Sequence, residues 1–323
     1  MYTSSEIDEI KKVIRENWYA KDNVRPTFHL LTTLILIFLL LFLINKTFNK
    51  AFLGILFTFL VLSIMRIFMI FHDLTHRSYF PSDERKTGED GINMWIARCI
   101  DVLCSYNADT WKRIHSEHHR VHGNLSELDE TRTVFISSRY NDLPEYQKIL
   151  YNIIRFPPIF FLFSPIYVFW INKFFNKEWN YIIKYIILIS ILYYYGSWRL
   201  VGFYLAATYV AAMIGIMLFH LQHQVNVGYW KPFDNENDTV AKANAELHGA
   251  SVLKIPWLID LFTFGIEYHN VHHLDPGIPG YNTKDCYYDL VNRGLITDNK
   301  VGYLQSIQSL MHTIYDEETE LYK

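Results

Sequence analysis

Two apolar runs near the start of the chain, Phe28 to Ile44 and Ala51 to Phe71, hold a single charged residue, Arg66, and are parted only by the short link Asn45 to Lys50. Hydrocarbon about 30 Å thick is crossed by roughly 20 predominantly apolar helical residues. Lipid offers no partner to a backbone N–H or C=O, so such runs must be helices. The pair reads as an antiparallel transmembrane hairpin. A second hairpin is expected from Trp179 to Trp198, if Lys184 snorkels and the Tyr193-Tyr194-Tyr195 group sits at an interface, and from Leu200 to Phe219. Phe156 to Ile171 is also apolar, but it is short and carries Pro157, Pro158 and Pro165, so a re-entrant or interfacial path is expected. Arg66 is expected either to snorkel from near a helix end or to point into the bundle. The fold class implied is all-α integral membrane, with four spans in two hairpins.

Basic residues set the orientation. Lys11, Lys12, Arg15, Lys21 and Arg25 precede the first span, and the stretch from Arg77 to Arg155 is rich in Lys and Arg, whereas the hairpin links hold little beyond Lys46, Lys50 and Arg199. The positive-inside rule then places both termini and everything between the hairpins in the cytosol.

Eleven of the 14 histidines fall into four clusters: His72 and His76; His115, His118, His119 and His122; His220 and His223; and His269, His272 and His273. Residues three or four apart share a helix face, so each cluster can aim two or three imidazoles at one point. Neutral imidazole binds zinc, copper, iron and nickel, and eight or nine such groups exceed the need of one four-coordinate zinc. Two metals are implied. Every cluster lies at the end of a span or in the polar segment after a hairpin. Helices around Ala108 to His122 and Phe262 to His273 would form a cytosolic helical cap that gathers them. An even number of spans between the His115 and His269 clusters keeps them on one face.

Histidine boxes HxxxH, HxxHH and HxxHH in this order, set against two hairpins, resemble the integral-membrane fatty acid desaturases. So do His72-Asp73, His76-Arg77-Ser78-Tyr79-Phe80, Trp111-Lys112, Leu221-Gln222-His223-Gln224, His272-His273-Leu274, Ile278-Pro279 and Tyr281-Asn282, which look like the omega-6, acyl-lipid branch. The resemblance implies metal ligands at His72, His76, His115, His118, His119, His223, His269, His272 and His273. It implies two iron ions, dioxygen as co-substrate, and a membrane domain at 28–285 between cytosolic segments 1–27 and 286–323. His269 stands where front-end desaturases usually have Gln, and Leu74 and Thr75 stand where Cys and Gly are usual in the first box. No His-Pro-Gly-Gly haem pattern occurs, so electrons are expected from a separate donor, a ferredoxin or cytochrome b5.

The activity implied is formation of a cis double bond in a long acyl chain, with omega-6 or delta-12-like regiochemistry. The substrate would be a fatty acyl lipid or acyl carrier. The membrane would be the endoplasmic reticulum in a eukaryote or the plasma membrane in a bacterium. The same boxes suit an acyl-chain or alkane hydroxylase. A membrane zinc hydrolase is more remote, since neither HExxH nor a comparable Glu occurs.

Around the ligands, Asp73, Glu117 and Asn270 are candidates to orient imidazoles. His220 is expected to pack or to support the site, His122 and His248 to be solvated or hydrogen-bonded polar residues, and His29 and His312 to be incidental. Cys99, Cys104 and Cys286 have no metal-binding spacing and are expected to be reduced packing residues. The formal net charge of −3 and the absence of a Lys/Arg-rich run argue against nucleic acid as a partner.

Overall fold

The computed structural model describes residues 1–127, 134–225, 229–234, 237–298 and 300–323. Four of the described helices are long and apolar enough to cross a membrane: Val24–Lys46, Lys50–Thr75, Pro157–Phe175 and Trp179–His223. The first two form the expected hairpin, each a few residues longer than its apolar run. Asn49 caps the second of them, its side chain accepting from Phe52 N at 3.0 Å. Phe38 and Phe42 point outward, as do Ile186 and Ile187 of the later spans, presenting an apolar face to lipid. Leu60, Ile67, Ile70 and Phe71 are buried between helices.

The third and fourth spans occur in one helical element, Trp179–His223, broken at Ser197 (φ 58°, ψ −169°). The break is a reversal. Asn45 Nδ2 donates to Tyr195 O at 3.1 Å and Arg199 donates to the carbonyls of Asn45 and Thr47, so both flanks of Ser197 meet the link of the first hairpin. At the other end, Glu178 accepts from Thr110 Oγ1 at 2.7 Å, and Thr110 lies on a histidine-bearing helix, while His223 closes the element beside the remaining histidines. The turn expected at Arg199 therefore lies two residues earlier, and the returning helix runs past Phe219 to His223.

Pro157–Phe175 has the length and composition of a span, yet both of its ends stay on the histidine-bearing face. Phe161 packs edge-on against His220 at 5.6 Å, and Glu178 just beyond its end bonds Thr110. Its middle is a π-helical turn, Tyr167–Ile171, after Pro165. This fits the interfacial path expected from its prolines.

Arg66 takes the second of the two expected placements and points into the bundle. Its guanidinium donates to Thr33 Oγ1 at 3.1 Å and to Leu261 O, lies 2.9 Å from His29 Nδ1, and stacks over Phe264. His29 is thus a partner to a charge inside the bundle and not incidental.

The cap is helical. Its N-terminal helix, Ser4–Asn17, begins with a capping box of Thr3 and Glu6 and buries Ile7, Ile10 and Ile14 against Leu247, Val271 and Leu290. The helix expected over Phe262 to His273 is two helices, Trp257–Thr263 and His269–Leu274. Phe264 (φ 59°) and Gly265 (φ 83°) turn the chain between them, and a Cβ on Gly265 would stand 2.6 Å from Gly280 O. Strands of two or three residues, which the all-α reading did not anticipate, pin the C-terminal tail: Ile314–Asp316 pairs with Phe135–Ile136 and with Leu321–Tyr322. Cys104 and Cys286 are buried, whereas Cys99 is exposed and does not pack.

Candidate metal centre

Four pieces of chain bring the histidines together. His72 ends the second span and His76 caps it. His115, His118 and His119 stand on Ala108–Val121, whose N-terminus is fixed by Asn107 Oδ1 accepting from Asp109 N and Thr110 N, each at 3.0 Å. His223 is the last residue of the fourth span, and His269, His272 and His273 lie on His269–Leu274.

The nine imidazoles sort into two groups. His72, His76, His115, His119 and His272 form one and His118, His223, His269 and His273 the other, the ligand atoms of each group lying within 4.8 Å of one another. Helical spacing explains the sorting. His115 and His119, four apart, share one group and His118 faces the other; His269 and His273 share the second and His272 faces the first.

Within the groups, Nε2 atoms approach to 2.8 Å for His72 and His115, 3.3 Å for His72 and His76, and 3.2 Å for both His115–His119 and His119–His272. In the second group His118–His223, His223–His269 and His269–His273 stand at 3.1, 3.0 and 3.1 Å. Ligand nitrogens about 2.0–2.1 Å from one ion at right angles would be about 3 Å apart. The donor set therefore fits two cations, one with five imidazoles and one with four, each short of six ligands.

Electrostatics agree. Burial first, and neighbouring imidazoles second, hold His115, His119, His269, His272 and His273 well below the usual histidine range. These rings are neutral, the form that binds a metal.

Of the three residues expected to orient ligands, one does so. Asp73 Oδ1 lies 3.1 Å from His72 Nδ1, which places the proton on Nδ1 and frees Nε2. Its other oxygen accepts from Gly280 N at 2.6 Å, an approach that a Cβ at Gly280 would crowd at 2.9 Å. Glu117 instead pairs with Arg120 on the surface, and Asn270 Oδ1 accepts from Val271 N.

The other histidines separate clearly. His220 Nε2 meets Ser309 O at 2.8 Å and lies outside both groups. His122 is not solvated: it is buried, its ring 4.4 Å from that of His273 and 4.7 Å from that of His223. His248 stacks on Tyr2, and His312 is held by Gln224 O and stacks on Tyr322. Trp111, stacked on His115 at 4.8 Å, and Tyr322, whose hydroxyl donates to His223 O at 2.8 Å, are supports that sequence reasoning missed. Trp111 was within reach, since it lies four residues before His115 on one helix. Nothing near Tyr322 signals a contact 99 positions back.

Two cavities reach the centre. One, of about 790 Å³, is walled mainly by apolar residues such as Met65, Phe68, Ile159 and Phe219 and touches His72, His115 and His269. The other, of about 590 Å³, is lined by Lys11, Arg15, Arg85, Arg120 and Lys242 with Glu246 and Asp275, and touches His76, His119 and His273. They have no lining residue in common.

The family model for fatty acid desaturases matches residues 49–302. The chain belongs to the fatty acid desaturase family. A Bacillus subtilis protein named fatty acid desaturase is 29% identical to it over 270 residues, 79% of this chain and 72% of that protein. A Picosynechococcus protein named sn-1 oleoyl-lipid 12-desaturase is 26% identical over 235 residues, 68% of this chain and 63% of that protein. This desaturase is accordingly an integral-membrane, all-α oxidoreductase.

Proposed function

We propose that this desaturase introduces a cis double bond into a long acyl chain of a membrane lipid, using two irons held by His72, His76, His115, His118, His119, His223, His269, His272 and His273. The observation that carries this reading is the apolar cavity, which runs from the membrane-facing side to His72, His115 and His269 and so meets both histidine groups. Its volume of about 790 Å³ lies within the roughly 300–1,000 Å³ of ordinary ligand sites. Two irons, when bound, would supply with dioxygen and two electrons the oxidising power to take hydrogen from an unactivated methylene.

The chain's own residues do the rest. Phe68, Phe169 and Phe219 line the cavity, where they exclude water and confine the acyl chain beside the histidines. Asp73 keeps His72 in the tautomer that offers Nε2 inward. Trp111, stacked on His115, fixes that ring and walls the same cavity.

Electrons would arrive on the other side. Lys11, Arg15 and Lys242 around the second cavity suit an acidic donor, a ferredoxin or cytochrome b5, that approaches His76, His119 and His273. The Lys and Arg distribution supports a cytosolic position for this face. Delta-12-like regiochemistry is supported by the name of the Picosynechococcus relative.

Expression in a host of defined lipid composition, followed by mass spectrometry of fatty acid methyl esters with double-bond localisation, tests the reading. A 2-dalton loss at one position in long chains is expected. A predominant 16-dalton gain would make the enzyme a hydroxylase.

A further inference from the structure

The apolar cavity contains a charge that nothing in the mechanism uses. Arg155 lines it and is only 8% exposed, ending the helix Glu145–Arg155 just before Pro157. Its guanidinium lies over the Phe160 ring, 3.7 Å from the centroid, and its Nε has no hydrogen-bond partner among the described residues. Tyr151 beside it hydrogen-bonds the Arg155 side chain but is a neutral phenol, engaged also with Thr313 O and Phe135 N, and His220 on the facing span is held by Ser309 O. Among the described residues no carboxylate lines this cavity, whereas a second cation, Arg113, stands exposed on its wall. Burial pushes the Arg155 guanidinium down to about 10, which still leaves it charged at neutral pH. A buried cation without a counter-ion is costly, so such groups are normally paired.

The position of Arg155 indicates where the missing anion comes from. Its helix exposes Ile149, Leu150, Ile153 and Ile154 along one face, the pattern of a helix lying in the headgroup boundary. Ile154, Phe163 and Tyr167, exposed on the outside, also line the cavity, so its wall opens toward the bilayer beside Arg155. An acyl chain entering there would leave its headgroup at the depth of the guanidinium.

We infer that Arg155 binds the phosphodiester of a membrane glycerophospholipid whose acyl chain fills the cavity. This inference rests on the acyl reading of the cavity given above. It makes Arg155 a positioning residue: an anchored phosphate fixes how far along the chain the histidines lie. Guanidinium is suited to the role because its fork pairs two phosphate oxygens at once.

The test is lipid retention by the purified full-length protein in neutral detergent, read by native mass spectrometry. Phosphatidylglycerol, a diglucosyl diacylglycerol with the same chains, and the matching acyl-CoA are offered in competition. The wild-type protein is expected to retain phosphatidylglycerol over the glycolipid by about tenfold or more, the range of one charge-assisted hydrogen-bonded contact. Arg155→Gln should erase that preference, and Arg155→Lys should keep part of it. The melting temperature of Arg155→Gln should stay level or rise, because a buried charge without a counter-ion has been removed while Gln can still bond Tyr151; a structural arginine would give a fall. Equal retention of glycolipid by the wild type, an undiminished preference in Arg155→Gln, or retention of acyl-CoA in place of lipid would each overturn the inference. Binding is read without turnover, so a protein that binds phospholipid through Arg155 but desaturates nothing would refute the proposed reaction alone.

Discussion

The two cavities that meet at the histidines are opposites. The first is apolar, carries no carboxylate among the described residues, and opens between helices whose outer faces are made for lipid; the second is ringed by five cations and opens among cap helices. Each touches three of the nine candidate ligands, two from the group of five and one from the group of four. The centre is therefore a partition between a dry side and a wet side. An oxidation that needs both a water-insoluble chain and an electron supply benefits from that separation, since neither reactant has to pass the other.

The partition breaks most completely when a ligand is removed. His118→Ala, His223→Ala and His272→Ala should each lower turnover by at least about 100-fold, beyond the 10–100-fold typical of losing a supporting partner of a metal ligand. Iron content measured after anaerobic loading should fall with them from about two atoms per chain. His220→Ala, whose ring faces Ser309 O, should keep both irons. Loss of iron in His220→Ala with retention in His223→Ala would reverse the choice of ninth ligand.

Blocking the dry side alone is the next largest effect. Gly215 lines the apolar cavity, and a Cβ built on it meets nothing within 4 Å. Gly215→Leu should therefore fill the cavity without disturbing the helix. Turnover of long chains should drop by about tenfold or more, on the scale by which pockets discriminate a few methylenes, with iron content unchanged. Unaltered turnover, measured as methyl esters, would place the acyl chain elsewhere.

How much of this was legible beforehand depends on the range of the interactions involved. Both hairpins and the four histidine clusters could be read because apolar runs and i, i+3, i+4 spacings are local signals, whereas the choice of nine among them, His223 over His220 included, rested on the family resemblance. The division into five and four was not, because it depends on how His72, His119 and His272 from three helices meet in space. Ser197 and the Phe264–Gly265 turn were missed for a related reason. Tertiary contacts, Asn45 and Arg199 at the one and the close pass of Gly280 at the other, hold backbones that the surrounding residues would allow to be helical. The burial of His122 was out of reach because its four-residue spacing from His118 turns it toward His223 and His273, a neighbourhood that exists only once the cap is assembled. Arg66 and Arg155 look alike in sequence, single arginines within or beside apolar runs. Only their surroundings distinguish a cation shared by Thr33 and His29 from one facing an apolar cavity.

On the wet side the expected effects are smaller and depend on salt. Arg15→Glu and Lys242→Glu should slow reduction by an acidic donor by about tenfold at low ionic strength, within the range of electrostatic steering, and the difference should shrink as salt shortens the Debye length. Turnover driven by a small uncharged reductant should not change. Stopped-flow reduction against ionic strength separates the two, and a salt-independent defect would mean that these residues shape the site instead of steering a partner.

The smallest effect concerns the carboxyl inside the basic cavity. Glu246 is buried, and burial, opposed by Lys242 and Lys11, raises its carboxyl from 4.5 to about 8. Between those values the folded protein holds a proton that the unfolded chain has released, so the stability tied to this group is full below about pH 4.5 and is lost as pH rises through about 8. Glu246→Gln keeps the shape and removes the titration. Its melting temperature in detergent should match that of the wild type near pH 5 and exceed it by a few degrees at pH 8.5, where the wild type must bury a carboxylate. The result also bears on the contrast between the cavities. A neutral Glu246 leaves the outer cavity with its full positive charge for a donor, while an ionised one cancels part of it. If the two proteins melt together across the whole range, Lys242 and Lys11 already hold the carboxylate ionised, and the wet side is less basic than its five cations suggest.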